Sequence, residues 1–302
     1  MPSLKVIRKR IASTKATQKI TRAMKMVAGA KLTRAQQRIV ALRPYAVKTS
    51  EVLQSVAKTM GSSAETQNEP VHPLLAQRPE KKALVLVLSA DRGLCGAFNT
   101  NINKAAERAW VEKKAAGVDV VFVSLGRKGK EYLNRRSATL MHDFPRIFDG
   151  LDLEKARVVA RWVVARFEKG EVDSVSLVYN EFKSAITQKV TLEPLLPLRA
   201  GSGGGEAAPH ADRLGPSDFL YEPDQRALLE RLMPMYVEIS IYRALLESQA
   251  SFFGAQMTAM DAATRNAKEM ISRLTLEYNR ARQAAITKEL MEIIGGAEAL
   301  KE

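Results

Sequence analysis

The chain has 302 residues, is 46% apolar and carries a formal charge of +14. That size fits one large domain or two smaller ones, and no apolar run approaches the roughly 18 residues that a membrane-spanning helix needs. A single cysteine excludes an internal disulfide and a cysteine-based zinc site, and His72, His142 and His210 lack metal-ligand spacing.

The basic charge is concentrated at the start. Lys5, Arg8, Lys9, Arg10, Lys15, Lys19, Arg22, Lys25 and several more precede the first acidic residue, Glu51. Such a segment seeks an anionic partner: nucleic acid, anionic lipid or an acidic protein surface. Over residues 1–60, steps of four and three run through Ile7, Ile11, Thr14, Gln18, Thr21, Lys25, Ala28, Leu32, Ala35, Ile39, Leu42, Ala46, Thr49, Leu53, Val56 and Met60. That spacing predicts a helix with a coiled-coil seam. Between Thr14 and Lys25 the seam turns polar, and Ile20, Met24 and Val27 offer a shifted apolar stripe. Pro44 should kink this helix, because it removes one backbone bond and crowds the preceding turn. The basic, acid-free start also suits an organelle transit peptide, but the helical repeat begins too early for a cleaved leader.

"GSSAETQNEPVHP" (61–73) reads as a linker, and residues 75–200 change period. Strands are expected at 82–89, 118–126 and, weakly, 138–144, with two more at 173–182 and 185–198. Helices are expected at 99–117, 129–136 and 153–170. Strands alternating with helices predict an open, Rossmann-like α/β layer with parallel pairing. "AGSGGGEAAPHADRLGPSD" (200–218) is Gly/Ala/Pro-rich and reads as a surface insertion whose deletion should leave assembly intact.

From 219 to 298 the seam returns: Leu228, Leu232, Met235, Ile239, Tyr242, Leu246, Gln249, Phe253, Gln256, Met260, Ala263, Ala267, Met270 and Leu274, with Tyr278, Ala281 and Ala285 continuing it approximately. Pro234 should bend its first turns, and the glycines of "IIGGAEAL" should stop it. About 70 helical residues would extend roughly 105 Å, more than a small domain's diameter, so this helix needs a partner. The simplest partner is the other terminal helix; the alternative is a helical bundle packed on the middle domain. The expected fold is therefore an antiparallel two-helix coiled coil plus a central α/β domain.

The first strand leads into "SADRGLCGAFN" (89–99), a turn of the kind that holds phosphates in many α/β proteins. A dinucleotide fingerprint needs G-x-G-x-x-G and an acidic residue after the second strand. Here the turn has only Gly93 and Gly96, and the second strand ends in Ser124, Leu125 and Gly126. No P-loop run exists. Cys95 lacks a partner base and reads as a buried structural residue; Asp91, Arg92 and Asn99 read as turn and cap residues. No catalytic residue, cofactor or metal is expected.

Four motifs carry a resemblance: "IASTKATQKITRAMKMVAGAKL" (11–32), "SADRGLCGAFN" (89–99), "FLYEPD" (219–224) and "YNRARQAAITKELMEIIGGAEAL" (278–300). Together, and in this order, they resemble the gamma subunit of F-type ATP synthases over nearly the whole chain. The resemblance implies a non-catalytic rotor shaft inside a ring of three alpha and three beta subunits, one copy per complex. It implies a foot beside the epsilon subunit and the membrane c-ring, with delta, a and b in the same complex. Proton flow would turn the shaft, and the shaft would drive ATP synthesis or hydrolysis in the beta subunits. It places Met24 and Lys25 near the acidic lever of beta. It places Arg282, Gln283, Thr287 and Glu289 against a beta loop, and Tyr221 and Glu222 at the foot. Gln256 departs from the family, many of whose members carry Arg in that region. The regulatory cysteine pair of the plant-chloroplast form is absent, so thiol control is not expected. The resemblance favours the cytoplasmic face of a bacterial plasma membrane, with a mature organelle chain as the alternative. The rival reading of the basic charge is a coiled-coil nucleic-acid binder; with aromatics at only 6%, single-strand stacking is disfavoured.

Overall fold

The computed structural model describes residues 3–64, 72–198 and 225–299. In chain order the elements are α1 (Leu4–Ala64), a short 3-10 turn (Pro73–Leu75), β1 (Lys82–Leu88), α2 (Phe98–Ala115), β2 (Asp119–Leu125), α3 (Arg127–Arg135), β3 (Leu140–Phe144), α4 (Leu153–Glu168), β4 (Ser174–Phe182), β5 (Gln188–Leu196) and α5 (Gln225–Ala299). They divide into two compact units, one of Met1–Gly29 with Gln256–Glu302, the other of Ala30–Ala255.

The larger unit is built on a five-stranded sheet of order β3-β2-β1-β4-β5. The "ALVLVL" of β1 is buried on both faces, as a central parallel strand must be. Leu84, Leu86 and Leu88 face one layer with Val121, Val123, Val175 and Leu177. Ala156, Val159, Ala160, Val163 and Phe167 of α4 cover that layer, together with Val237, Ile241 and Leu245 of α5. The α4 residues recur at helical spacing, and Asp152 caps the helix by accepting from the Lys155 N–H at 2.9 Å. On the opposite face Val85, Val87, Phe122 and Val178 pack under Phe98, Ile102 and Ala106 of α2.

The first four strands pair in parallel, but β4 and β5 are antiparallel. The expected parallel pairing holds for β1 to β4, and β5 departs from it. Only residues 183–187 connect β4 to β5, and so short a link permits a hairpin but not a crossover.

In the smaller unit α1 and α5 run antiparallel. Thr14 lies against Met270 (Oγ1 to Sδ 3.9 Å), Thr21 against Thr264 (2.8 Å) and Lys25 against Asp261 (2.5 Å), so positions rise on one helix as they fall on the other. The α1 seam is where the spacing put it. Ile7, Thr21 and Ala28 are buried, and Ile11, Thr14, Gln18 and Lys25 are half-buried. The shifted stripe is not the interface: Ile20 is 60% and Val27 55% exposed. Small, hydroxyl-bearing seam residues hold the contact instead, through the Thr21–Thr264 hydrogen bond. On α5 Met270 is 54% exposed and Ile271 half-buried in its place, while Leu274 is half-buried where the seam was expected.

One glycine expectation needs amending. Pro44 and Pro234 lie inside α1 and α5, which continue past them. Gly295 and Gly296 do not stop α5, which reaches Ala299. A glycine costs about 1 kcal/mol relative to alanine, too little to end a helix unaided. The supposed linker begins inside α1, whose last residues are 61–64; the Gly-rich stretch 200–218 lies outside the described residues.

Candidate partner-binding surface

The turn after β1 is closed from within. Asp91 Oδ1 accepts the N–H groups of Arg127 and Arg146 at 3.0 and 3.3 Å, and Ser89 Oγ accepts the Gly129 N–H at 2.6 Å. These oxygens occupy the first turn of α3, satisfying donors that a helix start leaves unpaired. Gly126 makes the close approach possible: its φ is +110°, and a Cβ there would sit 2.0 Å from the Ser89 carbonyl oxygen. Asn99 ties the turn together, accepting from the Ala90 N–H at 3.0 Å and donating to the Arg92 carbonyl at 3.2 Å. Asp91 and Asn99 are thus turn residues, as their types suggested, with Asp91 serving the start of α3 rather than α2. Cys95 is buried at 2% exposure, and burial pushes its thiol pKa up, the wrong direction for a nucleophile.

Open α/β sheets bind ligands outside the carboxyl ends of their strands, where the strand order reverses. Here the reversal lies between β1 and β4. One turn of α5 covers that edge: Ser248 Oγ donates to the Leu88 carbonyl at 3.1 Å and Ser251 Oγ to the Asn180 carbonyl at 3.0 Å. The position that would hold a nucleotide is filled by the protein's own helix.

The exposed chemistry lies on the helices of the smaller unit. Met24 and Lys25 are half-buried on α1, and Lys25 spends its charge on Asp261. A hydrogen bond from the Lys25 ammonium holds the Asp261 carboxyl below the usual carboxylate range. Asp261 also accepts from Arg265 at 3.1 Å, so the group is shared between the two helices. Arg282, Gln283, Thr287 and Glu289 are all exposed on α5; the Thr287 hydroxyl donates to the Gln283 carbonyl at 2.9 Å. Around them Ile286, Leu290, Met291, Ile293 and Ile294 are each more than half exposed. Periodicity gave no sign of this apolar surface, because the seam was followed only as far as Ala285. Gln256 is half-buried, and Tyr221 and Glu222 lie outside the described residues.

The fold matches rotor structures. The chain superposes on a chain of the Euglena gracilis mitochondrial ATP synthase OSCP/F1/c-ring structure with a TM-score of 0.66 at 19% identity, covering 98% of this chain and 94% of that one. It superposes on a chain of the Tetrahymena thermophila mitochondrial ATP synthase central stalk/c-ring structure with a TM-score of 0.62 at 25% identity, covering 81% and 99%. A mixed α/β sheet and an antiparallel pair of terminal helices are the central-stalk class of fold.

The family follows from sequence. A family model described as ATP synthase matches residues 3–300. The ATP synthase gamma chain of Sorangium cellulosum is 57% identical and that of Geobacter sp. strain M21 47% identical, each over the full length of both chains. The chain belongs to the ATP synthase gamma-chain family. These matches lend no support to a nucleic-acid binder.

Proposed function

We propose that this chain is the rotating central shaft of a proton-translocating F-type ATP synthase. It would be a non-catalytic subunit whose nucleotide chemistry lies in the beta subunits of the surrounding ring. The observation that carries this reading is the antiparallel pairing of the terminal helices in a chain 57% identical to a gamma chain over its full length. Two different helices give the pair unlike sides. Three identical beta sites around it must therefore meet different contacts, hold nucleotide with different affinity, and exchange those states as the shaft turns. Linkage makes the coupling reciprocal, so the same shaft serves synthesis and hydrolysis.

The residues then take roles. The exposed apolar surface at Ile286, Leu290 and Ile294 requires a cover, and the alpha and beta ring supplies it. Arg282, Gln283, Thr287 and Glu289 supply polar contacts to a beta loop, and Met24 and Lys25 lie near the acidic beta lever. Basic residues off the seam attract that lever through exposed pairs of about 0–1 kcal/mol each, weak enough to exchange during rotation. Tyr221 and Glu222 belong to the foot, with epsilon and the c-ring. None of the described helices is long and apolar enough to cross a membrane, which fits attachment through the complex, on the cytoplasmic face of a bacterial plasma membrane.

Co-purification at native expression levels tests the reading. Alpha and beta subunits are expected with this chain in three-to-one ratio; their absence would refute it. Replacing Arg282 and Gln283 by alanine should lower ATP-driven proton pumping while the chain stays in the complex.

A further inference from the structure

One turn of α5 carries polar side chains that the partner surface does not use. Ser248 and Ser251 are fully buried, and Gln249 is 9% exposed. Each donates to a main-chain carbonyl on a different element. Ser248 reaches Leu88 at the end of β1 (3.1 Å), Gln249 reaches Phe148 between β3 and α4 (3.0 Å), and Ser251 reaches Asn180 in β4 (3.0 Å). Gly254, one turn on, lets α5 approach the β4–β5 connection, where a Cβ would lie 3.1 Å from the Ala185 carbonyl oxygen.

Apolar packing is non-directional, so a helix held by it alone can slip or twist by a fraction of a residue at little cost. Hydrogen bonds are directional and weaken steeply with misalignment. Three such bonds from one helical turn to three separate elements fix both the rotation of α5 about its own axis and its advance along that axis. Burial alone would be met more simply by alanine, which leaves no donor to satisfy.

We propose that Ser248, Gln249 and Ser251 form the joint that locks α5 to the α/β domain, making them torque-transmitting positioning residues of the rotary reaction. This rests on the rotor reading above. Torque applied to the α/β domain passes into α5 through this turn, and a loosened joint lets the domain turn without driving the helix through its full angle.

The test uses the assembled complex in sealed vesicles, with ATP hydrolysis and ATP-driven proton uptake measured together. Ser248→Ala with Ser251→Ala, and separately Gln249→Leu, should leave the subunit ratio and hydrolysis rate near wild type. Protons moved per ATP should fall by roughly twofold or more, since each substitution removes a directional bond that fixes α5. Gln249→Leu keeps the packing volume and serves if the serine pair folds poorly. An unchanged proton-to-ATP ratio overturns the proposal. So does a ratio that falls only in step with loss of the chain from the complex, because that is a stability effect. If the wild-type chain does not assemble with alpha and beta subunits, the rotor reading falls first and this inference with it.

Discussion

Gly126 and Glu247 show how much rests on single residues. At Gly126 the backbone has a positive φ and the Ser89 carbonyl lies where a Cβ would go. Gly126→Ala should destabilise the chain by about 2–4 kcal/mol, read from chemical denaturation, because the turn cannot move without breaking the Ser89 and Asp91 contacts to α3. Glu247 lies on α5 among Arg243 of its own helix, Glu181 and Tyr179 of β4, Lys183 beyond β4, and Glu193 of β5. Arg243 is committed to Glu193 at 2.5 Å, Tyr179 donates to the same carboxylate at 2.7 Å, and Glu247 Oε2 is buried with no partner among the described residues. Burial pushes the Glu247 carboxyl up to about 7, against the opposing pull of Arg243. The folded chain therefore binds more protons than the unfolded one between the ordinary glutamate range and pH 7. Stability should fall as pH rises through that window and level off above it. Glu247→Gln should flatten the fall, worth up to about 3 kcal/mol, in melts taken from pH 5 to 8. The motif reading identified Asp91 and Asn99 as turn residues because Asx side chains favour turns wherever they sit. The Arg243–Glu193–Glu247 cluster was not legible, because Glu193 on β5 lies about 50 residues from the other two on α5.

Helix pairing is decided by the small size of the seam. Ala28 is fully buried and Thr21 nearly so. Ala28→Leu should force α1 and α5 apart and cost about 1–3 kcal/mol, seen as a lower melting temperature of the full chain. The Lys25–Asp261 pair is partly exposed, with side chains 44% and 31% accessible, so screening limits its worth. Its contribution should be present at neutral pH and fade as acid protonates Asp261, whose pKa lies below the usual range. Lys25→Met should leave the neutral-pH melting temperature almost unchanged and weaken its sensitivity to salt. The seam was legible because steps of four and three survive in sequence even where residues are polar. The burial of Ile271 in place of Met270 was not legible, since adjacent apolar residues fit the helical repeat about equally well.

For the molecule as a whole, charge distribution bears on assembly. A helix with no acidic residue before Glu51 should be steered toward an acidic lever, and steering is screened by salt. Raising ionic strength from about 0.05 to 0.5 M should slow association with the alpha and beta subunits by roughly tenfold or more, measured by stopped-flow fluorescence, while the assembled complex persists. Salt-independent association would detach the basic charge from this role.

The sequence by itself determined the two seamed helices, the βαβ alternation between them, and the family, because periodicity and motif are local properties. Only the tertiary structure decided that β5 runs antiparallel, that α5 occupies the strand edge where a ligand would bind, and that Ile20 and Val27 face outward. Each of these depends on which distant surfaces compete for the same apolar or polar group. No window of sequence contains that competition.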